Sequence, residues 1–393
     1  MISVEEAINR LVKNIGTTSV KMVPLKESYG HFLASDIISP VSFPMFNQSA
    51  MDGYAFKFSD VNKKLIVKDV IPAGDTRNVV VKPGEAVRIF TGSKVPSECD
   101  TVVMQELTTV EENLLSINDS KLKLGGNVRK KGEQIREGEI ALKKGTQITP
   151  AAIGFLTTLG IEKLVVFELP KVSIIVTGNE LIEPGIRLKE GQVYESNSYT
   201  LLSALKREGI SAEVIKVSDN LDTTVKVVKE QLQLSNILII SGGISVGDYD
   251  FVKEALLKND VEEIFYKVKQ KPGKPLFFGK TNQSYVFALP GNPAAALNCY
   301  YVYVRSAINL IQGSSQPFLT TINLLISNDL IKKEDRSQFF KAIIVEGKVQ
   351  LLDGQNSDAL QSFAYANCLI YVPAEKKLIK KNELVEVFLL PTN

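Results

Sequence analysis

VSIIVTG, residues 172–178, is a run of apolar and mostly β-branched side chains closed by a glycine. The same texture returns in AEVIKVS (212–218), NILIISGG (236–243) and SYVFALPG (284–291). Near-continuous apolar runs of this kind suit strands buried on both faces. Helical patterns follow or separate them, over residues 198–208, 223–233, 251–258 and a long 293–311. Strand alternating with helix predicts βαβ units and a parallel sheet. Three of the runs lead into glycine-rich turns, TGNE, SGGISVGDYD and LPGNP. In an open α/β sheet such turns share one edge, where ligands bind at the topological switch point.

The flanks read differently. Residues 64–148 hold short β-branched runs, KLIVKDVI, EAVRIF, TVVMQEL and NLLSIN, parted by Pro83-Gly84, Gly125-Gly126 and charged loops, which predicts a mostly β region. Before it, residues 3–14 predict a helix with Ser3 as N-cap, Glu6 in capping-box position, and Val4, Ala7, Ile8 and Leu11 on one face. After it, residues 150–159 predict another, with Pro150 in the first turn and Gly160 just past the end. Beyond Ser315 the runs TTINLLIS, FFKAIIVEG, CLIYVPA and LVEVFLL predict a small sheet or barrel.

Composition narrows the function. The 393 residues are enough for two or three domains with real cores. Forty-six basic against 44 acidic residues leave a net charge of +2, so no strong field favours nucleic acid or an anionic membrane. A single histidine, His31, excludes His-rich metal sites. It has no catalytic neighbour in sequence, and a satisfied histidine at a domain edge is the expectation. Cys99, Cys299 and Cys368 stand far apart in apolar contexts without any CxxC, which fits structural thiols in a reducing, cytoplasmic compartment. The charged, amphipathic N-terminus is no signal peptide, and no 18-residue apolar run is present. An enzyme of this composition works with carboxylates, lysines, hydroxyls and backbone amides.

Several motifs offer those groups, each with a plainer reading beside it. SGGISVGDYD (241–250) joins three glycines to the hydroxyls of Ser241 and Ser245 and the carboxylates of Asp248 and Asp250. Such a turn binds phosphate or Mg²⁺, or its acids cap the following helix. Glu180 in TGNEL projects into the crevice or sits on a surface loop. LPGNP places Pro293 at a helix first turn after Asn292, or brings backbone close to a ligand. QKPGKP sets Lys271 and Lys274 around a Pro-Gly turn, with Lys267 and Lys269 before it: phosphate-binding cations or a solvated turn. FPMFNQSAMDGYAF (43–56) reads as a long aperiodic loop carrying Asn47, Gln48, Ser49 and Asp52, and such loops in compact domains tend to be functional, although Asp52-Gly53 also suits a bare β-turn. Thr91-Gly92 in RIFTGSKVP suits a hairpin turn. RKKGEQIREGE (129–139) suits a solvated loop.

Taken in order, SAMDGYA, RIFTGSKVP, RKKGE, TGNEL, SGGISVGDYD, KPGKP and LPGNPAA resemble the molybdopterin molybdenumtransferase family, the MoeA proteins, which include the E domain of gephyrin. The resemblance spans nearly the whole chain. It implies insertion of molybdenum from molybdate into adenylylated molybdopterin, with release of AMP and help from Mg²⁺. It also implies a homodimer whose site is shared between chains, and a molybdopterin adenylyltransferase and molybdoenzyme apoproteins as further partners. The implied architecture is a MogA-like doubly wound α/β domain at 171–315, a mostly β insertion domain at 46–140 carrying the SAMDGYA loop, linking segments at 1–45 and 141–170, and a C-terminal β-barrel at 316–393.

Matched by motif, the family's catalytic positions fall on Asp52, Thr91 and Glu180. Cofactor and anion positions fall on Arg129, Ser245, Asp250, Lys267, Lys271, Lys274, Pro290, Pro293, Arg336 and Ser357, and metal positions on Asp52, Glu180, Asp248 and Asp250. The chain departs from the pattern in carrying Gln134 and Asn179 where relatives have acids, Lys341 where an arginine is common, and Gln355-Asn356-Ser357-Asp358 in place of GSGSH. That leaves fewer carboxylates for Mg²⁺. Alternative readings are molybdopterin adenylylation, disfavoured by the single GGISVGDYD accompanied by SAMDGYA, and a non-catalytic molybdopterin carrier or scaffold.

Overall fold

A computed structural model describes residues 1–244 and 251–391. Within them, the apolar runs of the central segment form one sheet in the order Ala212–Val217, Val172–Thr177, Ile237–Ser241, Tyr285–Leu289, Phe277–Lys280, Glu262–Tyr266. The first four strands are parallel, with Val172 opposite both Ala212 and Ile237, and Ile237 opposite Tyr285. Ile174, Val176, Ile239 and Phe287 face one core, shared with helix Asn197–Arg207 and the helical run from Pro293. Ile175, Leu238, Ile240 and Val286 face the other, under helices Leu221–Leu234 and Phe251–Lys258. Both faces are covered, which is why these strands lack alternation. Each fully buried aliphatic side chain contributes about 1.5–3 kcal/mol.

The expectation of a parallel sheet needs one correction. Phe277–Lys280 and Glu262–Tyr266 run antiparallel at one edge. The connection from Lys280 to Tyr285 is a tight turn closed by Thr281 N–H to the Ser284 carbonyl (2.8 Å), too short for the crossover a parallel pair needs. The sheet reverses order between Val172–Thr177 and Ile237–Ser241. The turns after those strands, and after Tyr285–Leu289, therefore share one edge.

The segment 1–45, expected whole among the linking segments, divides. Helix Val4–Asn14 buries Val4, Ala7 and Leu11 in the α/β core, beside Phe265 and Val268. Ser3 caps it by accepting the Glu6 N–H (3.1 Å), but the Glu6 carboxylate pairs with Arg10 (2.8 Å), so one half of the capping box is shown. From Val20 onward the chain forms a small core with residues 135–166: strand Val20–Pro24 pairs with Lys163–Phe167, and Leu25, Leu33 and Ile148 pack on helix Pro150–Thr158.

The mostly β region forms a sheet in the order Thr101–Met104, Gly53–Phe56, Glu85–Ile89, Leu65–Ile71, Leu114–Ile117, Thr108–Glu111. The stretch 43–56 is thus no continuous loop. Gln48–Ser49 pairs with Val128–Arg129, and Gly53–Phe56 lies inside the sheet. Ala55 and Phe56 bury into cores on opposite faces, so the strand carries no polar alternation to announce it. The C-terminal strands Ser337–Val345, Lys348–Leu351, Thr321–Ile326, Leu384–Leu389 and Cys368–Val372 close into a barrel through pairing of the last with the first. Among the described residues, no helix is long and apolar enough to cross a membrane.

Gly53 is where two strands meet most closely: a Cβ there would lie 1.8 Å from the Val103 carbonyl oxygen. Gly53→Ala is expected to cost about 2–4 kcal/mol through forced strand displacement. Urea unfolding measures it, and a midpoint equal to wild type would show that the strands separate freely here.

Candidate active site

The shared edge of the α/β sheet opens into a cavity of about 800 Å³. Its floor is the three strand-end turns, with Thr177, Gly178, Glu180, Gly242, Gly243, Pro290 and Pro293. Its opposite wall comes from the Lys271–Pro275 turn, Arg336 and the Ser357–Asp358 loop. A polar crevice of this size at a switch point has the form of a small-molecule site.

Each wall is held by buried groups. Gln270, fully buried, accepts from the Tyr303 hydroxyl (2.5 Å) and donates to the Gly273 carbonyl (2.9 Å). Gly273 has φ +89° and packs against Cys299; a Cβ there would lie 2.4 Å from the Cys299 Sγ. Tyr303 sits in a π-type turn, Tyr300–Val304, that interrupts the predicted single helix over 293–311. The next wall segment hangs on Lys332, whose buried ammonium donates to the carbonyls of Glu334 (2.9 Å), Arg336 (2.8 Å) and Ala374 (2.9 Å). Lys341 does the same for the third segment, donating to Gly354 (2.7 Å), Asn356 (3.1 Å) and Ala359 (3.0 Å). Burial lowers the pKa of both lysines.

Asn292 holds the N-cap position expected of it, but its side chain makes no capping bond and donates to the Ser357 hydroxyl (2.6 Å). The Ser357 carbonyl accepts the Ala295 N–H (2.9 Å), satisfying a first-turn amide from the barrel side. On the floor, Asn197 donates to the Ser241 hydroxyl and the Gly291 carbonyl, both at 2.8 Å, and so ties two turns together. The buried Asn197 Oδ1 and Thr177 Oγ1, on two residues of the cavity lining, have no partner among the described residues. A ligand donor meeting them would relieve the cost of burying an unmatched polar atom. Asn179 and Asp219 staple their turns reciprocally, Asn179 N–H to Asp219 Oδ2 (3.1 Å) and Asp219 N–H to Asn179 Oδ1 (3.3 Å). A neutral residue at 179 avoids a second carboxylate facing Asp219.

The electrostatics are uneven. Lys274 is exposed, and neither its ammonium nor the Glu180 carboxylate has a partner among the described residues. Lys271 and Arg336 are both paired with Glu334, the former at 2.9 Å. Arg336 first and Lys271 second hold the Glu334 carboxyl at about 2, well below its ordinary range.

The structure therefore brings Glu180, Lys271, Lys274, Pro290, Pro293, Arg336 and Ser357 to one cavity. Asp52 and Thr91 meet elsewhere, on the N-terminal β region, and Arg129 lies on a strand pair of the same region. Asp52 Oδ1 accepts both the N–H and the hydroxyl of Thr91 at 2.8 Å, and these bonds lower its pKa. Thr91-Gly92 is a turn closed by Ser93 N–H to Phe90 O (2.9 Å), and Gly92 N–H reaches the Ser49 carbonyl (2.8 Å). Arg129 lies opposite Gln48 on the neighbouring strand pair. Lys267 lies outside the cavity lining, its ammonium 4.6 Å from the Tyr266 ring centroid. Ser245, Asp248 and Asp250 lie outside the described residues.

Glu334, Lys332, Gln270 and Asn197 are additions that sequence reasoning did not single out. The KKEDR run at 332–336 offered a charge cluster as its signal; Gln270 and Asn197 offered none, being single polar residues whose burial only the fold reveals. Two smaller expectations also meet the structure. The cysteines are buried free thiols, with Cys99 and Cys368 pushed up to about 12 by burial. His31 is not fully satisfied: its buried Nδ1 has no partner among the described residues, and burial pushes its pKa down.

Comparison with known proteins matches three consecutive stretches of the chain: MoeA N-terminal region (domain I and II) over residues 2–160, probable molybdopterin binding domain over 173–310, and MoeA C-terminal region (domain IV) over 323–390. A molybdopterin molybdenumtransferase of Staphylococcus epidermidis is 33% identical over an alignment covering 100% of this chain and 96% of its own. One from Staphylococcus aureus is 32% identical, covering 99% and 95%. The crystal structure of a molybdopterin biosynthesis moeA protein from Pyrococcus horikoshii has a TM-score of 0.85 at 25% identity, covering 99% of this chain and 100% of that one.

Two consequences can be measured. Lys341→Met strips three carbonyls of their donor, so a loss of about 2–4 kcal/mol is expected, with faster amide exchange across residues 354–359. Unchanged exchange there would remove Lys341 from holding the Ser357 loop. Because the folded-state pKa of Glu334 is depressed, its stabilisation is complete above about pH 4.5 and is lost as pH falls toward 2. Glu334→Gln should flatten that part of the acid unfolding curve, by under about 1 kcal/mol for a group this exposed. An unaltered acid limb would mean that the pair adds nothing to folding.

Proposed function

The chain belongs to the molybdopterin molybdenumtransferase (MoeA) family, and on that premise we propose that its α/β cavity is where molybdopterin receives molybdenum. The activity is transfer of molybdenum in molybdenum cofactor biosynthesis, with molybdopterin and molybdate as substrates. The observation that carries the site reading is the cavity itself: about 800 Å³ at the switch point, with Lys271, Lys274 and Arg336 around one wall. Cations there suit a phosphate-bearing substrate, and the unmatched Asn197 and Thr177 oxygens suit a heterocycle or sugar that donates hydrogen bonds.

The finer reading takes adenylylated molybdopterin as the form bound. Lys271, Lys274 and Arg336 hold its phosphates, and cleavage of the mixed anhydride by water releases AMP. Molybdate, an oxyanion, binds near Thr91. The dithiolene sulfurs are the substrate's own nucleophiles, which accounts for chemistry without a catalytic histidine or cysteine. Among the described residues no three His, Cys, Asp or Glu side chains cluster, so a protein cage for a metal finds no support there. Mg²⁺ held by Glu180 and substrate oxygens fits the donor set, since that ion keeps several waters and needs few carboxylates. When bound it would neutralise phosphate charge.

Asp52, Thr91 and Arg129 do not line the cavity of their own chain. A homodimer in which one chain presents this cluster to the other's cavity reconciles the two groups. The buried free thiols support action in the cytoplasm. Matches to both flanking MoeA regions favour the insertion step over adenylylation, for which the α/β part alone would serve.

Asp52→Asn is expected to lower molybdate-dependent AMP release by about 10–100-fold while molybdopterin affinity stays nearly constant. Unchanged turnover would remove Asp52 from the chemistry. Mixing Asp52→Asn chains with Lys271→Ala chains should raise activity to about a quarter of wild type if sites are shared in a two-fold dimer, and leave it at the mean of the two variants alone if each chain is self-sufficient.

A further inference from the structure

Lys271 and Arg336 line the cavity, yet neither presents an uncompensated charge to it. The Glu334 carboxylate lies between them. Lys271 Nζ is 2.9 Å from its Oε1, while Arg336 Nε is 3.1 Å from its Oε2 and Arg336 Nη2 bonds the same oxygen. One carboxylate oxygen thus serves each cation, as two oxygens of a phosphate or other tetrahedral oxyanion would. Glu334 itself is not part of the cavity lining.

We propose that Glu334 is an internal stand-in for the anionic ligand, a displaceable counter-anion that holds Lys271 and Arg336 until a dianionic tetrahedral oxyanion or phosphate monoester replaces it. It thereby sets how tightly the cavity holds any anion. The inference rests on the reading above in one respect, that anions bind at these two cations.

Three features separate a displaceable counter-anion from a fixed brace. First, the backbone is anchored independently of the side chain. Lys332 donates to the Glu334 and Arg336 carbonyls (2.9 and 2.8 Å), and Lys377 adds a bond to the Glu334 carbonyl (3.1 Å). Gln270–Lys271 is pinned by parallel pairing with Ser337–Gln338. The cations therefore keep their places when the carboxylate leaves. Second, the Glu334 side chain is 35% exposed, so water can receive it without the penalty of a buried unpaired charge. Third, the charge count favours exchange by a dianion. A monoanion merely replaces one negative charge by another, whereas a dianion gains a second interaction with the same two cations. The neighbouring Asp335 does not compete, because its carboxylate pairs with Lys377.

The test is calorimetric titration of the full chain with inorganic phosphate, molybdate, AMP and the monoanion nitrate. Wild type is compared with Glu334→Gln, Glu334→Asp and the double variant Lys271→Ala/Arg336→Ala. Glu334→Gln is expected to bind the dianions about 3–10-fold tighter, because nothing need be displaced. The preference for phosphate over nitrate should stay unchanged, because the displacement cost is common to every anion; a ratio that widens would mean that the carboxylate stays in place and merely repels the ligand. Glu334→Asp, too short to reach both cations, should give a smaller gain in the same direction and covers the case of a poorly folded Gln variant. A gain confined to AMP identifies a nucleotide phosphate as the source, and one confined to molybdate a free oxyanion; either supports displacement. If Glu334→Gln binds equally or more weakly while the double variant loses binding, Glu334 is a brace and the inference falls, leaving the cavity reading intact. Binding that survives in the double variant, or is absent from every protein, overturns both.

Discussion

Gln270 is the pivot on which the cavity depends. Its amide is fully buried between the Tyr303 hydroxyl and the Gly273 carbonyl, and its strand pairs in parallel with the first residues of the barrel. One residue thereby fastens the Lys271–Pro275 turn both to the helical layer of the α/β unit and to the C-terminal barrel. A buried amide with both ends satisfied is costly to disturb, since breaking either bond leaves an unmatched polar atom in a dry environment. Lysines on a surface turn would sample many positions. Here the backbone of the turn is held from both sides, which fixes where the lysine side chains begin.

The same logic explains two lysines that look out of place. Lys332 and Lys341 are buried ammonium groups, each surrounded by three backbone carbonyls and neither paired with a carboxylate among the described residues. Each gathers a loop around a single charge, and each loop delivers a wall residue, Arg336 in one case and Ser357 in the other. Lys341 replaces the arginine that the family resemblance suggests, and a compact ammonium with three donors suits three converging carbonyls. The cavity is thus a floor of strand-end turns facing a wall of loops that are organised from behind.

Charge in the wall is graded rather than uniform. Lys274 faces solvent unpaired among the described residues, while Lys271 and Arg336 share Glu334. On the floor, Asn197 and Thr177 keep oxygens without partners among the described residues. A site with spare acceptors on one side and screened cations on the other is asymmetric, and an asymmetric ligand binds it in one orientation. Asp52, Thr91 and Arg129 lie outside the cavity lining of their own chain.

The apolar runs at 172–178, 236–243 and 284–291, the glycine turns after them and the helices between them were legible from residue order alone, because hydrophobic periodicity and turn chemistry are local. So were the helix beginnings at Ser3 and Pro150 and the β texture of both flanks. The strand Gly53–Phe56 was hidden because burial on both faces erases alternation. The antiparallel edge of the main sheet depended on pairing, which no single run encodes. Glu180, Lys271 and Lys274 stood out through their motifs; Gln270, Asn197 and Glu334 did not, since a polar residue acquires its role from what faces it across long separations in sequence. Local pattern alone determined the elements and the chemistry they carry, whereas only tertiary packing decided which charges are paired, which polar atoms are left unmatched, and that Asp52 and the cavity lie apart within one chain.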